Sequence, residues 1–169
     1  MVAIVSKPAH CSLNMEEVFD FAAKAHDGQV DMAGQPYIYH VNRVASAMNN
    51  QKHQRLGLLH DVMEDTDYDD GDLFKFGIPL DEIAILKLLT HKKDDSYEAY
   101  IDTIGTDFDA TMVKLADLRD NMDLLRLPKL TGSDFKRIRK YHKAFHTLLK
   151  RAGEMMQEDE EAANGTKGQ

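Results

Sequence analysis

The sequence predicts an all-α fold, a single helical bundle of seven to eight helices, from three observations. Apolar residues recur at helical spacing in almost every segment. No stretch alternates polar and apolar residues for long enough to make a strand. Four prolines, Pro8, Pro36, Pro79 and Pro128, are all that break up 169 residues, a length that suits one domain with a core of its own better than two.

The elements follow in order. Asn14 and Glu17 have the spacing of a capping box, so a first helix runs from Met15 to His26 with Val18, Phe19, Ala22, Ala23 and Ala25 toward the core. Gly28 to Gly34 reads as a loop. A second helix starts near Pro36 or Tyr37 and ends near Met48. A third covers Lys52 to Met63 and carries Leu56, Leu58, Leu59 and Val62. Shorter helices are predicted over 70–76, 80–90, 96–105 and 109–122. The last helix starts at a Ser133 or Asp134 cap. Phe135, Ile138, Tyr141, Phe145, Leu148 and Leu149 form its apolar stripe. The domain is expected to end at residue 156. Residues 157–169, QEDEEAANGTKGQ, lack an apolar anchor and read as a disordered acidic tail.

Composition narrows the function. The formal charge is −8, which argues against nucleic acid as a partner, since that needs a broad basic face. An anionic small ligand would need locally concentrated cations or a metal. No apolar run approaches the roughly 20 residues that cross a bilayer. The N-terminus MVAIVSKPAH lacks the basic start of a secretory signal. Cys11 is the single cysteine, so an internal disulfide or a Cys-rich zinc site is excluded and a cytoplasmic location is expected.

The chain is rich in histidine, with eight. A His-Asp dipeptide is weak evidence by itself, and the sequence has two. His26-Asp27 is the decoy. His60-Asp61 is followed by Glu64 and Asp65, in LLHDVMEDT. Residues four apart share a helix face, so Glu64 falls under His60 and Asp65 under Asp61. An imidazole and three carboxylates packed so closely repel one another unless a cation sits among them. An exposed acidic helix end would give the same spacing. Two further segments bear on the choice. His40 stands in the apolar stretch YIYHVNRVA, where a core histidine is the plainer reading. Asp117 stands at the edge of the buried face of VKLADLRDNMDLL, with Asn121 one turn on. A buried Asp is rare unless paired or bound to metal. His40, His60, Asp61 and Asp117 together would make a mixed imidazole–carboxylate site for Mn, Fe or Zn with positions left for water and substrate.

The order AHxGQ…PYIxH…LLHDVxEDT…VKLADxxxN…Y resembles the HD-domain hydrolases of the alarmone, RelA/SpoT-type group, and within it the stand-alone small alarmone hydrolases. The resemblance spans about Phe19 to Leu149, and the residues given carry no synthetase motif. It implies one divalent metal ion, Mn, held by His40, His60, Asp61 and Asp117. It implies that Glu64 and Asp65 activate and orient water, and that Asn121, Lys93 (or Lys92), Arg137 and Tyr141 contact a nucleotide. Arg43, three residues after His40, would help neutralise phosphate or else be a surface charge. Lys24, Lys87, Lys114, Arg119 and Arg126 read as helix-surface charges. One departure concerns the base: long alarmone enzymes carry Arg-Lys in the loop after AHxGQ, where this sequence has Asp31 and Met32. Guanine and adenine both stay open.

The implied function is metal-dependent release of pyrophosphate from a 3′-pyrophosphorylated nucleotide such as ppGpp. The alternatives are a phosphatase for another 3′- or 2′-phosphorylated nucleotide such as NADPH, a 5′-nucleotidase, and a non-catalytic nucleotide-sensing module. The expected partner is a small nucleotide, with no membrane or nucleic acid; a homodimer is left open.

Overall fold

The computed structural model describes residues 13–165; the N-terminal MVAIVSKPAH segment, Cys11 and the last four residues of the tail lie outside them. The described residues form nine α-helices: α1 (Met15–Ala25), α2 (Ile38–Ser46), α3 (Gln51–Leu59), α4 (Val62–Asp65), α5 (Asp70–Phe76), α6 (Leu80–Leu89), α7 (Tyr97–Ile104), α8 (Phe108–Asn121) and α9 (Gly132–Gly165), with a 3-10 turn at Leu124–Arg126. No strand occurs among them, and an isolated bridge between Val30 and Pro36 closes the loop after α1. The all-α prediction is borne out. The ninth helix arises because the segment predicted as one helix, Lys52–Met63, breaks at His60 and Asp61 into α3 and α4.

Local chemistry explains the ends. The Asn14–Glu17 capping box forms at the start of α1. A second box joins Asp69 and Asp72 at α5, which stops at Gly77 with φ of 112°, a left-handed turn open to glycine. At α9, Asp134 lies in the first turn and accepts from the Thr131 N–H and hydroxyl at 2.8 and 2.6 Å.

Helix α3 lies at the centre, packed on α1, α2, α6 and α8, while α9 covers α8 and α7. Leu56, Leu59, Leu86, Leu89, Ile104, Leu118 and Leu148 are fully buried where these helices meet. Polar ties stitch the same contacts. Arg55 on α3 pairs with the buried Glu82 on α6. Lys52 and His53 both bind Asp109 on α8, at 2.7 and 2.6 Å. No described helix is long and apolar enough to cross a membrane.

Two expectations differ from the structure. On α9 the buried line is Ala144, Leu148 and Ala152, with Ile138, Tyr141 and Phe145 half-buried, while Phe135 and Leu149 are exposed. The turn of 3.6 residues rotates positions 135 and 149 off the face that touches α8. Helix also continues through the predicted tail as far as Gly165, with Gln157–Asn164 exposed. Glu and Ala are strong helix formers, so backbone propensity extends the helix where no core holds it.

Among the described glycines, Gly57 of α3 is packed most tightly, against Ala45 of α2. A Cβ on Gly57 would lie 2.9 Å from both the Cα and the amide nitrogen of Ala45. Gly57→Ala is expected to force the two helices apart and cost about 1–3 kcal/mol, read as a lower midpoint in urea denaturation. Gly57 also supplies a carbonyl to His60, so the same variant should shift that imidazole.

Candidate metal centre

Three regions of the bundle deliver side chains to one point. His40 projects from α2, Asp117 from α8, and His60 and Asp61 sit at the break between α3 and α4. His60 ends α3 in ordinary helical geometry, whereas Asp61 adopts φ −100° and ψ −2°, between the main allowed regions. A continuous helix would turn consecutive side chains about 100° apart. The break lets His60 and Asp61 face the same point, with His60 Nε2 at 2.9 Å from Asp61 Oδ2.

The remaining distances close the cluster. His40 Nε2 lies 3.6 Å from Asp61 Oδ2 and 3.3 Å from Asp117 Oδ1. His60 Nε2 lies 3.6 Å from Asp117 Oδ1. One ligand atom each of His40, His60 and Asp61 falls within a 4.8 Å span. Both histidines are buried at 2% exposure, and Asp117 at 3%.

The outer nitrogens set the tautomers. His60 Nδ1 lies 2.9 Å from the Gly57 carbonyl, so it carries the proton and donates. His40 Nδ1 lies 2.7 Å from Asp120 Oδ2. Both Nε2 atoms are buried without a hydrogen-bond partner. In the neutral rings each Nε2 therefore turns a lone pair on carboxylate oxygens. That arrangement repels unless a cation sits between, and the donor set of two imidazoles and two carboxylates fits a divalent ion. In the metal-free protein protons take this role. Burial lowers the His40 pKa, but Asp117, Asp120 and Asp61 outweigh it and push it up to about 11. At His60 burial is likewise overcome, by Asp61 and Asp117, to about 9. Burial raises Asp61 and Asp117, yet the neighbouring cationic groups hold both well below the usual carboxylate range.

The cluster opens into a cleft of about 380 Å³, whose wall includes Glu64, Asp65, Lys114, Asn121, Arg137 and Tyr141. Glu64 Oε2 accepts from the His91 amide at 2.8 Å. Partial burial and repulsion from Asp61 raise its pKa against that hydrogen bond. Asp65 is raised by burial and by Asp61, and its backbone carbonyl accepts from the Gln29 side chain at 2.6 Å. Tyr37 donates to Asp61 Oδ2 at 2.6 Å. Asn121 donates to Asp117 Oδ1 at 2.5 Å. The Arg137 Nε is buried without a partner at the wall.

Several residues stand elsewhere than the sequence suggests. Lys92 and Lys93 are exposed and do not line the cleft; their loop contributes the His91 amide instead. Arg43 lies behind the cluster rather than on the cleft wall. Its Nε binds Asp120 at 2.7 Å and its Nη2 binds Asp31 at 3.4 Å. Lys114 is no surface charge: its ammonium is 2.7 Å from Asp117 Oδ2, largely buried at the cleft. Its flanking residues Val113 and Leu115 are both buried, and a lysine inside such a run was the available signal. Arg126 also reaches the cleft. It binds Asp31 at 2.9 Å and Asp120 Oδ2 at 3.1 Å. Nothing local in the sequence links positions so far apart. Asp31 itself is tied down by these guanidiniums and by the Ala33 and Gln35 amides, so the loop's anion is neutralised by Arg126 and Arg43. His26 is outside the His40–His60–Asp61 group: it caps α1, and its Nδ1 lies 2.8 Å from the Gln29 side-chain oxygen.

No protein-family model matches the chain. Over 118 residues, 62% of the chain, it is 35% identical to a Haemophilus influenzae guanosine-3′,5′-bis(diphosphate) 3′-pyrophosphohydrolase. Over 125 residues it is 31% identical to the Vibrio cholerae protein of the same name. It is 28% identical over 128 residues to a Myxococcus xanthus GTP pyrophosphokinase. The matched part spans 17 or 18% of each of these relatives. In fold, it is similar to a solved structure described as a metazoan ortholog of SpoT that hydrolyses ppGpp. The TM-score is 0.67 at 23% identity, covering 90% of this chain and 98% of that one. The resemblance read from the motifs is thus borne out, and the chain is similar in sequence and in fold to the SpoT-type HD hydrolases.

Proposed function

We propose that the protein is a metal-dependent phosphohydrolase that releases pyrophosphate from the 3′ position of a purine nucleotide of the ppGpp class. The observation that carries this reading is the buried meeting of His40, His60, Asp61 and Asp117, with both Nε2 lone pairs turned inward and without partners, at the floor of a cleft. The names of the relatives and of the structural neighbour support the substrate class.

His40, His60, Asp61 and Asp117 would hold one divalent ion, with Mn as the expected metal. When bound, such an ion polarises a phosphoryl oxygen and lowers the pKa of water. Asp120 and the Gly57 carbonyl hold the two imidazoles in the ligating tautomer. Glu64 keeps one oxygen on the His91 amide and takes the proton of the attacking water with the other. Its raised pKa suits a general base. The water oxygen bonds to the phosphorus nearest the ribose, the bond to the 3′ oxygen breaks, and that oxygen takes up a proton as pyrophosphate leaves. Asp65 orients the water. Arg137, Lys114 and Tyr141 face the phosphates and Asn121 the sugar. Release of a single phosphate from a 2′-phosphorylated nucleotide such as NADPH is the second reading, because the same cluster would serve it.

The test is a substrate panel with Mn: ppGpp, ppApp and NADPH. Pyrophosphate from the first two is expected, and single phosphate from NADPH alone would move the assignment to the second reading. Asp61→Ala is expected to lose bound metal and turnover together. Glu64→Gln should keep the metal by elemental analysis while kcat falls by about 10²–10⁴.

Proton and metal compete for the same atoms. The raised pKa values of His40 and His60 mean that their stabilisation of the metal-free fold is complete below the ordinary His value of about 6.5. It is lost as pH rises through about 9 and then about 11. In chelator, Tm should therefore fall across the range from about pH 7 to about pH 9.5, whereas metal affinity should rise over the same range. A flat Tm would mean that these rings share no protons with the carboxylates.

A further inference from the structure

Helix α9 carries Lys136, Arg139, Lys140 and Lys143 at spacings of three and four residues, on one face toward α7. With α7 they line a groove of about 440 Å³. The α7 wall contributes two carboxylates, Glu98 and Asp102, so four cations face two anions in a chain whose overall charge is −8. Lys143 reaches Glu98 at 3.7 Å, with both side chains largely exposed. Among the described residues, Lys136 and Arg139 have no acidic partner. Like charges one turn apart repel, and this cluster leaves that repulsion largely uncompensated.

The groove adjoins the metal cleft, and Tyr97 and Lys140 line both. The Lys140 ammonium sits 4.2 Å from the centre of the Tyr97 ring and 5.3 Å from that of Tyr141, which holds a positive charge at the junction. A ligand of the ppGpp class carries two phosphate chains on one ribose. With its 3′ chain at the metal cluster, the 5′ chain needs cations within the span of one nucleotide. We infer that the groove between α7 and α9 binds the substrate's second, 5′ phosphate chain through Lys136, Arg139 and Lys143, with Lys140 at its entrance. This rests on the function proposed above and adds to it a preference for substrates phosphorylated at both ends.

The three outer cations are exposed, so the triple variant Lys136→Gln, Arg139→Gln, Lys143→Gln should fold. For the 3′,5′-bis(diphosphate) its KM should rise about tenfold or more with kcat unchanged, as when binding is lost equally from ground and transition states. For a nucleoside 3′-diphosphate with a free 5′-hydroxyl, wild type and variant should have the same KM. An equal rise on both substrates would mean general attraction of anions and overturn the inference, as would no rise on either. Inhibition by added tripolyphosphate that vanishes in the variant while KM stays put would assign the groove to a free effector and also overturn it. Should wild type release no pyrophosphate at all, the function proposed above fails. Calorimetric affinities of wild type and variant for the two nucleotides then decide the groove separately.

Discussion

Two imidazole lone pairs and two carboxylates crowd together at the buried floor of a cleft, and their repulsion is the constraint to which the rest of the bundle responds. The four side chains arrive on three rigid supports, α2, α8 and the α3–α4 break, so none can retreat without moving a helix packed in the core. The cluster costs stability when empty and regains it when a cation or a proton enters. Lys114 covers the outer oxygen of Asp117, which lessens the burden on that carboxylate without filling the space between the histidines.

A second ring of charge supports the first. Asp120 is the hub, joined to His40, Arg43 and Arg126, and Asp31 extends it to the loop after α1. The charges alternate, so each is compensated by its neighbour, and most are at least half-buried, where such pairs matter more than on an open surface. Through this ring the orientation of His40 is coupled to the loop at the cleft rim. An aspartate in that loop therefore has a structural role, and Arg126 brings a guanidinium to the place where the sequence appeared to lose one.

Much of this was legible in the chain. Helical spacing placed the starts of eight of the helices to within a few residues, and the clustered residues were identifiable because LLHDVMEDT, PYIYH and VKLADLRDN put chemistry-bearing residues where a core face should be. What escaped was of two kinds. Pairing between distant charges has no local signature: Arg126 and Asp31 lie 95 positions apart, and surface and buried cations look alike in a sequence. Helix continuity was overestimated at His60 and underestimated past Gln157. In the first case the tertiary setting of His60 and Asp61 overrides propensity, and in the second propensity acts where tertiary contacts are missing.

The interruption between α3 and α4 has an evolutionary corollary. Because two adjacent backbone positions share a single focal point, they behave as one inseparable cassette. Inserting or deleting a residue anywhere between Gly57 and Glu64 would rotate the anchoring carbonyl, His60, Asp61 and Glu64 out of phase together. Tolerance for length change should accordingly concentrate in exposed stretches such as residues 92–95, which lie beyond the His91 amide that holds Glu64.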